Sequence, residues 1–254
     1  MLAPSRKQRP SFEVLCELVY RPLAHLVVLV CLPLRVPPPA VVAASAAAGL
    51  AGAVEIGRGH LVAAALLLQL KTVLDNADGQ LARASNRVTV LGRYLDSESD
   101  LFVNAAIFIG LGWVTGETWL ALLAFLVLTL VLSVDFNLER LYRRELGEPG
   151  EAMPAATGAA AWLAQVYRVV YAPQDRLVES FVKSRARGRA GYHDRATLAI
   201  VANYGLSTQL AVLGICLAAG HPSAYLWIVL GCGGSLIPLA LRREWLAQRA
   251  PGVP

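Results

Sequence analysis

Long apolar runs separated by short polar turns constrain this chain more than any other feature. Six windows, at roughly 41–57, 60–77, 95–115, 118–135, 196–219 and 223–241, read as membrane spans, because a hydrocarbon core takes about 20 helical residues to cross and ~17 in a short case. Of the 254 residues, 56% are hydrophobic and only 16% are charged. A soluble domain carries about 25% charged residues, so that class is excluded. Inside lipid each span must satisfy its own backbone amides, which makes helices the natural form. The expected fold is therefore an all-α membrane protein, with six transmembrane helices in an unbroken bundle.

Residues 1–40 form an N-terminal arm. Its apolar half, Leu23 to Leu34, is too short to span and is bracketed by Arg21, Pro22, Pro33 and Arg35. An interfacial amphipathic helix suits such a segment. Pro37-Pro38-Pro39 ends it, since successive prolines cannot continue a helix. Residues 41–241 make the six-helix domain, and 242–254 a C-terminal tail. The domain includes one long polar stretch, 136–195. Within it, Asn137 to Leu146 extends span four, Glu148 to Ala161 is a Gly-, Pro- and Ala-rich loop, and Trp162 to Val182 has the mixture of an interfacial helix. Lys183 to Arg195 is a basic approach to span five. Tight turns are expected at Gly57-Arg58-Gly59-His60 and at Val114-Thr115-Gly116-Glu117. Small residues cluster in spans one and six, where Gly231, Gly233 and Gly234 permit close helix contact.

Charge sets the orientation. With the N-terminus inside, 22 of the 23 Lys and Arg residues fall on one side and only Arg58 on the other. The positive-inside rule then places the arm, the 136–195 stretch and the tail in the cytoplasm of a multi-pass inner or plasma-membrane protein. The net charge of +5 needs no nucleic acid, for no basic-aromatic surface or known module accompanies it. Cys16, Cys31, Cys216 and Cys232 are scattered without a CxxC pair and read as apolar packing residues. Arg6, Lys7 and Arg9 precede mixed polar sequence, unlike a cleavable signal.

On the same cytoplasmic side lies an acidic motif. It reads Asp75-Asn76-Ala77-Asp78-Gly79-Gln80-Leu81-Ala82-Arg83, then eight residues, then Gly92-Arg93-Tyr94-Leu95-Asp96-Ser97-Glu98-Ser99-Asp100. Acids beside lipid are rarely placed there without a role. Residues three or four apart share a helix face, so Asp75 pairs with Asp78 at the end of span two, and Asp96 with Asp100 at the start of span three. Four carboxylates brought together would repel and hold protons unless one or two Mg²⁺ or Mn²⁺ ions relieved them. Gly79 and Gly92 let a phosphate group or a base approach the backbone. Ala82 leaves room one turn on, and Arg83 offers a bidentate phosphate partner. Glu98 lies off the acid face and reads as solvated or paired with arginine. His25, His60, His193 and His221 are isolated and suit interface or turn roles.

Asp-x-x-Asp-Gly-x-x-Ala-Arg-x8-Gly-x3-Asp-x3-Asp resembles the signature of the CDP-alcohol phosphotransferase (CDP-alcohol phosphatidyltransferase) family. Asp75, Asp78, Gly79, Ala82, Arg83, Gly92, Asp96 and Asp100 match all eight fixed positions. The resemblance implies two Mg²⁺ ions, with Mn²⁺ a possible substitute. Asp75 and Asp96 would bridge both ions, while Asp78 and Asp100 would each complete one site. Asp100 would also be the catalytic base that takes the acceptor's proton. Gly79, Ala82, Arg83, Thr89 and Gly92 would surround the CDP moiety. The implied reaction is transfer of a phosphatidyl, or substituted phosphoryl, group from a CDP-alcohol to an acceptor alcohol with release of CMP, in phospholipid synthesis. CDP-diacylglycerol is the expected donor, and the resemblance implies a homodimer among membrane lipids. The chain departs from the family at Pro39-Ala40-Val41-Val42-Ala43, where members often show Pro-Asn-x-x-Thr.

Arg140, Lys183 and Arg195, near the inner ends of spans four and five, suit an acceptor pocket for a phosphorylated alcohol, or equally a surface for anionic lipid. Two other classes stay open on sequence alone. An acidic cluster in a membrane also fits a divalent-cation transporter, and Ala40 with Ala43 fits a catalytically silent, lipid-binding scaffold.

Overall fold

The computed structural model describes residues 11–147, 159–186 and 194–249. Among the described residues there is no strand. A π-helical turn, Cys16–Tyr20, leads into α1 (Arg21–Cys31), α2 (Pro38–Gly57), α3 (Leu61–Ala84), α4 (Val90–Thr115), α5 (Thr118–Glu145), α6 (Ala159–Ala186), α7 (Arg195–Ala202), α8 (Leu206–Ala218) and α9 (Pro222–Arg249). Pro38–Gly57, Thr118–Glu145 and Pro222–Leu246 are long and apolar enough to cross a membrane, and α7 with α8 adds a fourth if that bent pair is one span. α3 and α4 have 24 and 26 residues, more than a bilayer core requires. Charge sets them apart: α3 holds Lys71, Asp75 and Asp78, and α4 holds Asp96, Glu98 and Asp100. The motif dilutes the apolar signal of the helices that carry it.

Three helices make the frame of the site. α2 packs chiefly on α3 and α4, and its small residues permit the close approach. A Cβ added to Gly52 would lie 2.9 Å from Leu68 Cδ2, and one added to Gly110 of α4 would lie 2.7 Å from the Ala53 carbonyl oxygen. Ile56, Leu68, Ile107, Leu111, Leu128, Leu213 and Tyr225 belong to the main apolar core. On α9, Gly233 faces Val127 of α5, whereas Gly231 and Gly234 have nothing within 4 Å. The turns form as expected, with Gly59 at φ 80° and Gly116 at φ 73°, a region that glycine enters without steric cost. His60 caps the first of them, Nδ1 2.6 Å from Glu55 Oε2.

α5 does run past the expected end of span four, to Glu145. Its Leu138, Leu141 and Tyr142 form a second core with Val178 and Val182 of α6 and Leu198 and Val201 of α7. Most of the expected 148–161 loop and part of the basic approach to span five lie outside the described residues.

The 196–219 window is not the unbroken helix that the sequence led us to expect. α7 and α8 meet at 43°, and Asn203 stands at the junction as the C-cap of α7. Its Nδ2 donates to Ala199 O at 2.8 Å and to Phe12 O at 2.9 Å, while its Oδ1 accepts from Val14 N at 2.9 Å. The Asn203 side chain thus satisfies two backbone groups of the N-terminal segment and ties that segment to the kink. The arm continues along α3. Tyr20 Oη donates to Gln69 Oε1 at 2.5 Å, and Gln80 Nε2 donates to Arg21 O at 3.1 Å. Ala24 and Val28 are buried with Ala77 and Leu81 of α3, while Leu18, Leu23, Leu26, Leu29 and Val30 are exposed.

Gly110→Ala should force α2 and α4 apart and lower the apparent melting temperature in detergent, since overpacking costs ~1–3 kcal/mol. Gly231→Ala, which meets open space inside α9, should hold it or raise it slightly, since alanine is the better helix former. Equal melting temperatures for both variants would contradict this packing.

Candidate functional site

The helical spacing of the motif is realised on α3 and α4. Asp75, Asp78 and Asp96 each offer a carboxylate oxygen, and these atoms lie within 4.8 Å of one another. Asp78 is buried at 6% exposure, and its Oδ2 has no hydrogen-bond partner among the described residues. A buried acceptor left unsatisfied is costly, and a hard divalent cation takes oxygen ligands of this kind. The residues present therefore fit such an ion.

Asp100 is not part of that group of three. Its Oδ1 accepts from Lys71 Nζ, which also donates to Asp75 Oδ1 at 3.1 Å. Lys71 is only 1% exposed. Sequence reasoning passed over it, although two signals were there. It is the one lysine in the 60–77 window, and it stands four residues before Asp75, on the same helix face. α2 adds a hydroxyl: Ser45 Oγ donates to Lys71 O at 3.2 Å and lies 3.5 Å from Asp75 Oδ1. Ala40 and Ala43, which stand where the family often has Asn and Thr, are exposed on α2. Ser45 is the polar residue that this helix brings to the acids.

The rest of the motif frames the same end of the bundle. A Cβ on Gly79 would lie 3.3 Å from Arg83 Nη1, so the bare glycine lets that guanidinium fold back along α3. Thr89 caps α4, its Oγ1 accepting from Gly92 N at 3.0 Å. Ala82 and Gly92 are half-buried. Glu98 corrects the sequence reading. It is 1% exposed, and neither of its oxygens has a hydrogen-bond partner among the described residues. The reason is that α4 is packed by α2, α5 and α6, so a residue off the acid face is still interior.

The three basic residues do not meet at one point. Arg140 donates to Glu179 Oε2 and to Asn137 Oδ1, both at 2.7 Å. Lys183 reaches Glu179 Oε1 at 2.7 Å, and Arg144 reaches the same oxygen at 3.3 Å. Arg195 donates to Tyr142 Oη at 3.1 Å. Beneath them Asp175 Oδ1 accepts from Ser133 Oγ at 2.6 Å and Asn137 Nδ2 at 2.7 Å, which ties α6 to α5. Glu179 thus gathers cations from two helices.

Residues 23–179, more than half of the chain, match the CDP-alcohol phosphatidyltransferase family. The chain belongs to that family, and its apolar helices agree with an integral membrane protein. A bifunctional IPC transferase and DIPP synthase from Thermococcus kodakarensis is 37% identical over 78 residues. The matched stretch is 30% of this chain and spans only 18% of that relative. No solved structure matches.

The hydrogen bond from Lys183, followed by the charges of Arg140, Lys183 and Arg144, holds the Glu179 carboxyl below its ordinary value, against the opposing effect of burial. A lowered folded value means that this stabilisation is fully present above the unfolded glutamate value of about 4.3 and is lost as pH falls through the folded one. Melting temperature should therefore drop on acidification from about pH 5 to 3 less steeply in Glu179→Gln than in the wild type. Parallel curves would show that the cluster contributes nothing.

Proposed function

We propose that this protein is a Mg²⁺-dependent transferase, with Mn²⁺ as substitute. It moves a phosphatidyl, or other substituted phosphoryl, group from a CDP-alcohol to an acceptor alcohol and releases CMP. CDP-diacylglycerol is the proposed donor and phospholipid synthesis the proposed setting. Six spans, an interfacial arm, a cytoplasmic site and a homodimer complete the reading. The family supports the reaction class. The observation that carries it is the group of buried Asp78 with half-buried Asp75 and Asp96, with the unpartnered Asp78 Oδ2 one residue from Gly79, over which Arg83 folds.

Asp75, Asp78 and Asp96 would hold a divalent cation, whose charge would favour the negative charge that builds on phosphoryl oxygens during displacement. Arg83 pairs with the diphosphate, and Gly79 keeps the backbone open to it. Thr89, Ala82 and Gly92 edge the nucleotide. Asp100, anchored through Oδ1, has a second oxygen to take the acceptor's proton. The acceptor oxygen then forms its bond to the β-phosphorus as the bond to CMP breaks. Arg140, Lys183 and Arg195 are the proposed acceptor side. A phosphorylated acceptor would have to share Arg140 and Lys183 with Glu179.

Purified protein given CDP-diacylglycerol and a panel of glycerol phosphate, inositol phosphate, serine and a phospholipid should release CMP with Mg²⁺, stop with EDTA and recover with Mn²⁺. Asp100→Asn should lower turnover by about 100–10,000-fold, the range of general-base contributions. No CMP release from any donor and acceptor pair would overturn the proposal, and a near-normal rate in Asp100→Asn would remove that residue as base.

A further inference from the structure

We propose that the Lys71 ammonium is a resident cation of the acidic site. It stands in for one of the two divalent ions that the family resemblance implies, so this chain binds a single ion at Asp75, Asp78 and Asp96. The inference rests on the metal-dependent reading above and deepens it.

The first support is the split of the carboxylates. Three acids gather within the reach of one ion, and Asp100, which meets Asp75, is not one of those three. Asp100 Oδ1 instead accepts from Lys71 Nζ, and that nitrogen is also 3.1 Å from Asp75 Oδ1. An oxygen that accepts from an ammonium has that lone pair occupied. A divalent ion sharing the same two oxygens would also sit beside a like charge. Such repulsion is felt even in bulk water and is larger in the lower dielectric of a protein.

The second support is that the fold makes room for this lysine. Lys71 is 1% exposed and cannot swing into solvent without repacking. A Cβ on Gly49 of α2 would lie 2.5 Å from Val103 Cγ1 of α4 and 3.2 Å from Lys71 Cγ, so the bare glycine makes room for Val103 first and for the lysine stem beside it. Ser45, one turn earlier on α2, donates to the Lys71 carbonyl at 3.2 Å. Backbone and stem are both held, and the ammonium is delivered between α3 and α4. A buried ammonium without its carboxylates would be strongly unfavourable, so the lysine at this place requires its acids.

The third support is charge balance. Four carboxylates, one ammonium and one divalent cation leave a net charge of −1 in the site. Lys71 thereby reduces the demand for a second ion. It acts as a positioning residue, fixing the Asp100 carboxylate without itself touching the reacting phosphorus.

Mn²⁺ alone, titrated into the full-length protein in detergent and followed by electron paramagnetic resonance, tests this without reference to turnover. We expect one Mn²⁺ per wild-type chain with an uncoupled six-line spectrum. Lys71→Met keeps the stem and removes the charge, and it should raise the stoichiometry to two ions with the exchange coupling of a pair ~3.5–4 Å apart. Should that variant fail to fold, Asp100→Asn serves in its place and should still bind one Mn²⁺. Two coupled ions in the wild type, a single ion in folded Lys71→Met, or the loss of an ion in Asp100→Asn would each overturn the inference while leaving the metal-dependent reading intact. No Mn²⁺ bound by the wild type would overturn both.

Discussion

Carboxylates crowded inside an apolar bundle stay ionised only where cations lie among them, and this structure is arranged around that constraint. α3 and α4 carry acids on facing surfaces, and α2 holds the two helices close. Bare backbone at Gly52 and Gly110 takes in Leu68 and the Ala53 carbonyl, which sets the separation that Asp75, Asp78 and Asp96 need to come within one ion's reach. Lys71 meets part of the demand for positive charge from within the chain. The unpartnered Asp78 Oδ2 marks where the remainder is required.

Other elements brace this arrangement from both sides. The arm lies along α3, with Ala24 and Val28 packed beside Ala77 and Leu81, two residues of the motif itself. The same arm is pinned at its start to the break between α7 and α8 by Asn203. On the other side α5, α6 and α7 form their own apolar core. Above that core, Glu179 collects Arg140, Arg144 and Lys183. Broken helix and basic layer both belong to the frame around the acids.

Much of this was legible in the sequence because its signals are local. The apolar windows gave the helices, the glycine turns their ends, and the three- and four-residue spacing the shared faces of Asp75 with Asp78 and Asp96 with Asp100. What was missed depends on tertiary contact. Glu98 sits off the acid face in helical projection, and only the packing of α2, α5 and α6 around α4 shows that it is interior. Asn203 looks like an ordinary polar residue in an apolar run until Phe12 and Val14, far away in sequence, are seen against it. Lys71 was counted among the positive charges of one membrane side, and its pairing with Asp100 crosses from one helix to the next. Thr89 and Gly92 carried a local signal that was read for the ligand alone, whereas their hydrogen bond also starts α4.

The most direct measurement is an experimental structure of the protein grown with Mn²⁺ and CDP, with anomalous scattering used to locate the metal. The account predicts a Mn²⁺ peak at roughly 2.1–2.2 Å from oxygens of Asp75, Asp78 and Asp96, a little longer than the octahedral Mg–O distance, with the diphosphate alongside Gly79 and Arg83. A metal bound elsewhere on the molecule, or these three carboxylates turned away from one another with no ion between them, would contradict it.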